Sequence, residues 1–334
     1  MEKCRILLTR SMLPGDRRYI ADGLDRLVPG QYELLVPEEY DEETLCSMVS
    51  GVQVLLGPFV SERLLETAKN LRLIQVPWTG MDTFRFEAAR NSTVPICNTH
   101  GNAQAVAELG LALTLDLLKK ISYHDRKMRR GNWNRDQKPL NLKSGMLCEK
   151  RVCILGLGNI GGKIAELAHA FGAEVIGTSD RKKPDEIVTK VYPQSRLREA
   201  AAEADVLICT LPLTEQTRGV IGKSFLEDLK QGSLLVNMSR AAVIDEDAVF
   251  AALTSGKLGG FAADVWWNAP KRGESESYPS SHNPFWELEN VVLSPHRAGF
   301  AENGLPHLDG AIENIAALIQ GKPLQNVVDK DREY

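Results

Sequence analysis

The sequence predicts an α/β fold with two doubly wound parallel sheets, each covered by helices on both faces. Short apolar runs alternate with helical patterns through nearly all of the 334 residues. The runs are apolar throughout rather than at every second position, which is typical of parallel strands buried on both faces. Since an average domain has about 150 residues, the length indicates two domains.

Composition and charge exclude several classes of protein. Apolar residues make up 43% of the chain and charged residues 25%, and the formal net charge is −4. Such a chain has no overall positive field to attract nucleic acid or an anionic membrane. The basic stretch at 126–135 is read as a solvated helix end rather than a nucleic-acid patch. No apolar run reaches the roughly 20 residues of a membrane span.

The spacing of the cysteines and histidines indicates a protein that binds no metal and belongs to a reducing compartment. Six cysteines are scattered without a C-x-x-C pair, and six histidines form no H-E-x-x-H motif. Scattered thiols of this kind are typical of cytoplasmic core residues rather than of disulfides or zinc sites. We therefore expect a soluble, cytoplasmic protein with no metal, no nucleic-acid partner and no membrane partner.

The first hundred residues predict one parallel sheet with helices between its strands. We expect these strands at 5–9, 32–36, 52–57, 71–76 and 94–98. A long apolar helix is predicted at 102–121, capped by Asn102. It is too apolar to face water all round, so we expect it between domains or subunits.

A second alternation predicts six more strands. They begin at 151, 174, 206, 234, 260 and 291, and six parallel strands with helices between them fit a dinucleotide-binding sheet. The polar segment 271–284 is predicted to be a loop. One amphipathic helix follows after about residue 301, and we expect it to return to the first domain.

The sharpest local motif is a glycine-rich turn at 156–161, directly after a predicted strand and at the start of a predicted helix. Glycines there allow a tight turn and bring backbone N–H groups and the helix N-terminus against a pyrophosphate. The predicted cofactor-binding residues of this turn are Gly156, Gly158, Asn159, Ile160 and Gly161.

The segment after the next strand bears on the choice of cofactor. Ser179 and Asp180 precede the basic residues Arg181, Lys182 and Lys183. A carboxylate there binds the ribose hydroxyls of NAD, whereas basic side chains hold the 2′-phosphate of NADP. A solvated charged loop is the third interpretation. We expect NAD(H) as the cofactor, with NADP(H) left open.

Several ordered motifs now identify a family. The turn is followed by CTLPLTEQTRGVIG, LLVNMSRAAVIDEDAV, GGFAADVWW and NVVLSPHRAG, and it is preceded by LIQVPWTGMDTF and NAQAVAELGLAL. This set resembles the D-isomer-specific 2-hydroxyacid dehydrogenases over nearly the whole chain. The resemblance implies a flavodoxin-like substrate domain at 1–101 and 299–334, a Rossmann domain at 102–298, an active site in the cleft and a homodimer. It also implies a small 2-oxo or 2-hydroxy acid as substrate.

The resemblance carries over residue by residue. The family's substrate-orienting arginine corresponds to Arg240, its acid–base histidine to His296 and its nicotinamide-holding aspartate to Asp264. The remaining implied contacts are Thr79, Gly80, Met81 and Asn102 for the substrate, and Leu211, Pro212 and Thr217 for the cofactor.

These residue types suit the reduction of a 2-oxo acid. A guanidinium holds a carboxylate bidentately, which the point charge of lysine does less well. An imidazolium within hydrogen-bond reach neutralises the alkoxide that forms when hydride arrives at the carbonyl carbon.

The chain departs from the family pattern at Ala269, where the family has a glutamate that pairs with the histidine. Loss of that carboxylate lowers the pKa of the imidazole, because an adjacent anion favours the charged form. Asn268, Glu274, Glu276 and Glu287 are the candidate replacements. The same departure leaves open a non-catalytic NAD(H)-binding redox-sensing scaffold, or a dehydrogenase of another small anion.

Two further departures lie nearby. Ala241 replaces the glycine that usually follows the arginine, and its methyl group either restricts the backbone or is tolerated. Four aromatic residues form either a substrate wall or part of the core: Trp266, Trp267, Tyr278 and Trp286.

Overall fold

The computed structural model describes residues 3–133, 144–270, 280–302 and 304–334. The predicted loop at 271–284 and the basic stretch at 126–135 lie partly outside these ranges. The chain forms two compact units, unit 1 with Met1–Asn102 and Phe300–Tyr334, and unit 2 with Ala103–Gly299.

The described residues contain twelve strands and eleven α-helices. The strands are β1 (Cys4–Leu8), β2 (Tyr32–Leu35), β3 (Val54–Leu56), β4 (Leu73–Gln75), β5 (Ile96–Cys97), β6 (Arg151–Leu155), β7 (Glu174–Thr178), β8 (Lys190–Tyr192), β9 (Val206–Cys209), β10 (Ser233–Asn237), β11 (Leu258–Ala263) and β12 (Val291–Leu293). The helices are α1 (Pro14–Leu27), α2 (Glu42–Met48), α3 (Glu62–Thr67), α4 (Phe86–Ala89), α5 (Ala103–Lys119), α6 (Ile121–Arg129), α7 (Asn159–Ala170), α8 (Leu197–Ala202), α9 (Lys223–Asp228), α10 (Glu246–Thr254) and α11 (Pro306–Ile319).

Unit 1 contains a parallel sheet in the order β2-β1-β3-β4-β5, which is the flavodoxin-like order. One face packs against α1 and α11, with Leu24 and Ile312 in the same buried cluster. The other face packs against α2, α3 and α4, with Leu45, Leu64 and Phe86 buried there. The predicted doubly wound parallel sheet is confirmed.

The C-terminal helix α11 completes unit 1 through buried polar contacts as well as apolar packing. The Asn314 amide donates to Gln75 Oε1 at 2.9 Å, and Gln75 at the end of β4 has no exposed surface. Asn314 Oδ1 accepts from the Gln325 N–H at 2.8 Å. Because buried amides need partners, these contacts fix how the tail sits on the sheet.

Unit 2 contains a parallel sheet in the order β12-β11-β10-β9-β6-β7-β8. The chain starts at β6, runs outward through β7 and β8, and then continues on the other side through β9 to β12. This reversal next to β6 is the switch point of a dinucleotide-binding sheet, and ligands bind such sheets beyond the carboxyl ends of the strands. Helices α5 and α7 cover one face, and α8, α9 and α10 cover the other.

The prediction of six strands in this sheet missed β8. That strand has three residues, ends before Pro193 and lies at the edge next to β7. A run so short, with Lys190 inside it, gives too weak an apolar pattern to predict a buried strand.

The predicted helix at 102–121 is confirmed as α5, which ends two residues earlier than predicted. It begins after Asn102 as expected, but Lys120 has a φ of 55° and separates α5 from α6. The apolar side chains of α5, such as Leu113 and Leu117, are buried within unit 2 in a cluster with residues of α7 and the sheet. These side chains of α5 therefore pack within unit 2, and the predicted contact with a second subunit stays a prediction.

Most of the cysteines are core residues, as the sequence predicts. Four cysteines are buried, namely Cys4, Cys97, Cys153 and Cys209, and burial raises the pKa of the Cys209 thiol to about 11.

In the described part of the chain, no helix is long and apolar enough to cross a membrane. Among the same residues, no group of three His, Cys, Asp or Glu side chains could hold a metal ion.

Gly101 provides a test of how the tail is attached. A Cβ built on Gly101 would lie 1.9 Å from the Pro306 carbonyl oxygen at the start of α11. Gly101→Ala is therefore expected to lower the free energy of unfolding by about 1–3 kcal/mol, in urea denaturation followed by tryptophan fluorescence. Gly15→Ala in α1 is the control, since nothing lies within 4 Å of the added atom. Equal stability of the Gly101 variant and wild type would contradict the close contact.

Candidate active site

Most predicted site residues of unit 2 lie where a parallel strand ends. Because all seven strands run the same way, these positions share the carboxyl edge of one sheet. From β12 towards β7, the edge carries His296 after β12, Asp264 after β11, Arg240 after β10, Leu211 and Pro212 after β9, Gly156 after β6, and Ser179 to Arg181 after β7.

The glycine-rich turn after β6 fits a pyrophosphate. Gly156 has a φ of 95°, and a Cβ on Gly161 would lie 2.1 Å from the Gly156 carbonyl oxygen. Gly158 caps α7 and has nothing within 4 Å of its Cβ position. The turn is therefore tight on its inner side and open at Gly158. Together with the N-terminus of the 12-residue helix α7, where Asn159 and Ile160 lie, it can receive an anionic phosphate.

The turn is fixed to its neighbouring strands by hydroxyl groups. The Gly156 N–H donates to Thr178 Oγ1 at 2.9 Å, and Thr210 Oγ1 donates to the Gly156 carbonyl at 2.7 Å. Thr178 ends β7, and Thr210 follows β9. Strands on both sides of β6 thus hold the turn in place.

The segment after β7 presents Asp180 to solvent. Asp180 Oδ1 accepts from the Gln194 N–H at 2.9 Å, and Ser179 Oγ accepts from the N–H groups of Arg181 and Lys182 at 3.1 and 2.9 Å. Arg181 and Asp180 are both exposed. A carboxylate has about four lone-pair sites, so Asp180 keeps acceptor capacity for ribose hydroxyls.

The loop after β9 is stabilised by its own hydroxyl groups. Thr217 Oγ1 donates to the Pro212 carbonyl at 2.6 Å and accepts from the Thr214 N–H at 2.8 Å. Ser239 Oγ donates to the Leu211 carbonyl. Thr217 is predicted to contact the cofactor, but its hydroxyl proton is donated within the loop.

Arg240 lies in a turn built by a buried amide. Asn237, at the end of β10, has no exposed surface; its Oδ1 accepts from the Ser239 N–H at 3.0 Å, and its Nδ2 donates to the Arg240 carbonyl at 3.2 Å. The Arg240 side chain is half-buried, and its Nη1 donates to the Ser239 carbonyl at 3.0 Å. Ala241 begins a short 3-10 helix without a positive φ, so its methyl group is tolerated.

Asp264 is buried and hydrogen-bonded to the segment that carries His296. Its side chain accepts from Ser294 Oγ, from the Arg297 N–H at 3.0 Å and from the Ala298 N–H at 2.8 Å. Asp264 is 2% exposed. Buried carboxylates persist where hydrogen-bond donors replace water, and these three donors do so.

His296 itself is exposed and has a φ of 53°, in the left-handed region. That conformation costs a residue with a side chain about 1–2 kcal/mol, so the surrounding contacts must hold it. The preceding residue, Pro295, has no N–H to contribute.

Ala269 occupies the position of the family's glutamate, so this position has no carboxylate. Ala269 is exposed, the Asn268 N–H donates to the Ser280 carbonyl at 2.9 Å, and Glu287 is exposed in a short 3-10 helix. Glu274 and Glu276, the other candidate replacements for the glutamate, lie outside the described residues.

Two of the four aromatic residues belong to the core. Trp266 and Trp267 pack with Phe261 and Phe285, and their indole N–H groups donate to the carbonyls of Ser294 and Ile244, each at 2.9 Å. Trp286 is 49% exposed, and Tyr278 lies outside the described ranges. The core interpretation is correct for the tryptophan pair.

In unit 1, two predicted substrate-binding residues lie together after β4 and β5. Thr79 Oγ1 lies 2.8 Å from the Thr99 carbonyl and 3.1 Å from Asn102 Oδ1. The Asn98 amide donates to the Thr79 carbonyl at 2.8 Å. These bonds fix the backbone that leads into Gly80 and Met81, of which Met81 is buried.

Sequence reasoning missed Asn237 and Ser294. Both are polar residues directly after an apolar strand, in LLVNMSR and VVLSPHR, and that position was the available signal. The Asn237 amide bonds backbone groups two and three residues further on, and the Ser294 hydroxyl donates to the distant Asp264 carboxylate. A strand pattern reveals neither contact.

A histidine outside the predicted site bridges two acids at the start of α10. His282 Nδ1 lies 2.8 Å from Glu246 Oε2, and its Nε2 lies 2.8 Å from Asp247 Oδ1. Glu246 also accepts from the N–H groups of His282 and Asn283 at 2.8 and 2.9 Å. The hydrogen bond to Asp247 is the main cause that raises the pKa of His282 above its ordinary value.

Comparison with known proteins gives a consistent result. Residues 111–298 match the model of the D-isomer specific 2-hydroxyacid dehydrogenase, NAD binding domain. The glyoxylate reductase of Aeropyrum pernix is 31% identical over 99% of this chain and 97% of its own length. The chain spans about half of two similar D-3-phosphoglycerate dehydrogenases, 49% and 55% of their lengths.

Plant and structural relatives point the same way. The glyoxylate/hydroxypyruvate reductase A HPR2 of Arabidopsis thaliana is 33% identical over 78% of this chain and 80% of its own. A crystal structure of a D-isomer specific 2-hydroxyacid dehydrogenase from Xanthobacter autotrophicus Py2, in complex with NADPH and MES, is 25% identical with a TM-score of 0.78. It covers all of both chains.

The His282 bridge predicts a pH dependence. Because the folded pKa is raised, the bridge stabilises the fold fully below the unfolded pKa, near 6.5, and this stabilisation is lost as the pH rises through the folded pKa. Titration of the His282 ring by NMR is expected to give a midpoint above 6.5, and Asp247→Asn is expected to lower it. An unchanged midpoint in Asp247→Asn would contradict the bridge, and Asp228→Asn, in a surface pair with Arg198, is the control.

Proposed function

The chain belongs to the D-isomer specific 2-hydroxyacid dehydrogenases, and on that premise we propose that it reduces a small 2-oxo acid to the D-2-hydroxy acid with NAD(P)H. The observation that carries the proposal is that the ends of three neighbouring strands, β10, β11 and β12, lead to Arg240, Asp264 and His296. A guanidinium, a carboxylate and an imidazole on one sheet edge suit the reduction of a 2-oxo acid.

In this mechanism Arg240 binds and polarises the substrate. Its guanidinium holds the carboxylate and donates towards the ketone oxygen, which favours negative charge on that oxygen. The buried amide of Asn237 supports this role, since it fixes the Ser239–Arg240 backbone from which the side chain extends. We further propose that Thr79, Gly80, Met81 and Asn102 contact the substrate.

His296 supplies the proton. When its imidazole is protonated, it donates to the oxygen as the carbonyl carbon is reduced, and the neutral imidazole takes the proton back in the reverse oxidation. An exposed side chain on a fixed backbone can exchange its proton with solvent between turnovers.

Residues of the carboxyl edge of unit 2 would hold the cofactor, which supplies the hydride when bound. Gly156, Gly158 and Gly161 would receive the pyrophosphate with the N-terminus of α7. The Asp180 carboxylate would accept from the ribose hydroxyls. The remaining lone pair of Asp264 would accept from the carboxamide, beside its three donors.

The names of the relatives suggest which substrates to test first. Glyoxylate reductases and hydroxypyruvate reductases are among the similar proteins, so we propose glyoxylate and hydroxypyruvate as the leading substrates. We also propose a cytoplasmic homodimer, as the family resemblance implies.

A second candidate function is a non-catalytic NAD(H)-binding scaffold. The observation that favours it is Ala269, an exposed methyl group at the position of the family's glutamate. Such a scaffold would bind NADH without turnover of any 2-oxo acid. A dehydrogenase of another small anion would also leave the 2-oxo acids unreduced.

The main test measures oxidation of NADH and NADPH with glyoxylate, hydroxypyruvate, pyruvate and a bulky 2-oxo acid. Arg240→Lys is expected to lower kcat/KM by about 10²-fold or more, because lysine loses the bidentate contact. His296→Ala is expected to lower kcat by about 10²–10⁴-fold.

Arg198→Lys is the matched control, since Arg198 lies on α8 in a surface ion pair with Asp228. It is expected to behave as wild type. Binding of NADH without turnover of any acid would reject the reductase and favour the scaffold. Full activity of Arg240→Lys would reject the role of Arg240.

A separate prediction concerns the cofactor. Asp180→Ala is expected to raise KM for NADH several-fold and to change KM for NADPH less, because the carboxylate accepts from a 2′-hydroxyl but repels a 2′-phosphate. Initial rates at varied cofactor concentration measure both constants. Equal effects on the two cofactors would show that Asp180 does not bind the ribose hydroxyls. Asp185→Ala, next to Lys182, is the control.

A further inference from the structure

We propose that Asp264 is a positioning residue for His296, and that it acts through the backbone of residues 294–298 independently of any bound cofactor. The proposal deepens the proposed function and rests on it for the catalytic role of His296. The sequence resemblance assigns Asp264 only to the nicotinamide, whereas its three hydrogen bonds all reach the segment that carries the histidine.

The contacts of Asp264 lie on both sides of His296. Ser294 Oγ, two residues before it, and the Arg297 N–H, directly after it, both donate to Oδ1. The Ala298 N–H donates to Oδ2 at 2.8 Å. A single carboxylate thus binds the chain before and after the catalytic residue, so the backbone between them has little freedom.

Other bonds hold the beginning of the same segment. The Ser294 N–H donates to the Ala263 carbonyl at 3.0 Å, and the Trp266 indole donates to the Ser294 carbonyl at 2.9 Å. Ala263, Asp264 and Trp266 all belong to the end of β11 or the residues just after it. The exit of β11 therefore serves as the support of the His296 segment.

The backbone conformation of His296 shows why support is needed. Its φ of 53° is unfavourable for a residue with a side chain, and a released segment would return to the more populated regions. The two N–H groups that Asp264 accepts are those directly after this residue. Holding them fixes the direction in which the His296 side chain leaves the backbone.

A carboxylate suits this task better than an amide. It offers acceptor sites on both oxygens, and all three groups that it meets are donors. An asparagine keeps one oxygen, so its NH₂ group would face at least one of the three donors. Asp264→Asn is therefore nearly isosteric and yet removes part of the support.

The cofactor role does not compete with this one. Three of the four lone-pair sites of the carboxylate are occupied, and one is left for a carboxamide. The two roles separate in protein without cofactor, where only the support of the segment remains measurable.

The experiment compares cofactor-free wild type and Asp264→Asn in the full chain. Hydrogen exchange of the Arg297 and Ala298 amides is expected to be about tenfold faster or more in the variant. The NMR titration of the His296 ring is expected to change as well. In steady-state assays, kcat is expected to fall about 10–100-fold with a smaller change in KM for the 2-oxo acid.

Two further variants sharpen the test. Ser294→Ala removes one donor to Asp264, and it is expected to give smaller changes of the same kind even if Asp264→Asn fails to fold. Asp205→Asn is the matched control: this carboxylate accepts from the Arg151 N–H at 2.8 Å, at the opposite edge of the same sheet. It is expected to leave the 296–298 signals unchanged.

The outcomes are distinct. Unchanged exchange and titration in cofactor-free Asp264→Asn and Ser294→Ala, with only NADH affinity weakened in the former, would overturn the proposal. Faster exchange and an altered titration, in a protein that turns over no 2-oxo acid even as wild type, would support the positioning by Asp264. That result would overturn the proposed function instead.

Discussion

The parallel direction of all strands in unit 2 is the constraint on which its candidate site depends. Parallel pairing requires each strand to return by a crossover, so every carboxyl end meets the same edge and every following loop begins there. Residues more than a hundred positions apart, such as Gly156 and Asp264, thereby share one edge. The switch point beside β6 separates the residues that we propose for the nucleotide, around β7, from those that we propose for the chemistry, after β10, β11 and β12.

A parallel sheet does not by itself determine the directions of the side chains in the loops that follow its strands. Buried polar groups fix these directions. Asn237 at the end of β10 replaces lost hydration by bonds to the backbone of the loop after β10. Asp264, just after β11, does so by bonds to the backbone of the segment after β12. Such groups would be costly if left unpaired. Because they are paired, the rigidity of two neighbouring strands extends into the loops that carry Arg240 and His296.

The sequence allowed the fold class, the glycine-rich turn and most strand positions to be predicted, because continuous apolar runs and glycine spacing are local signals. It did not reveal β8, whose three residues are too few for a pattern, or the separate polar helix α6 that follows Lys120. The bonds of Asp264 could not be predicted either, since they join residues about thirty positions apart. The burial of α5 within its own unit was missed because periodicity shows that a face is apolar but not what covers it.

The arrangement of unit 1 has a consequence for biosynthesis. Its sheet is complete by Cys97, but one face is covered by α11, which follows all of unit 2 in the chain. The Ile312 side chain approaches the Cβ position of Gly23 to 2.7 Å, and Asn314 joins Gln75. On the ribosome, α11 therefore cannot cover this apolar face of the sheet while residues 103–299 are being synthesised and begin to fold. Until α11 has been made and has docked, Leu24 and its apolar neighbours on that face lack the helix that covers them in the folded protein.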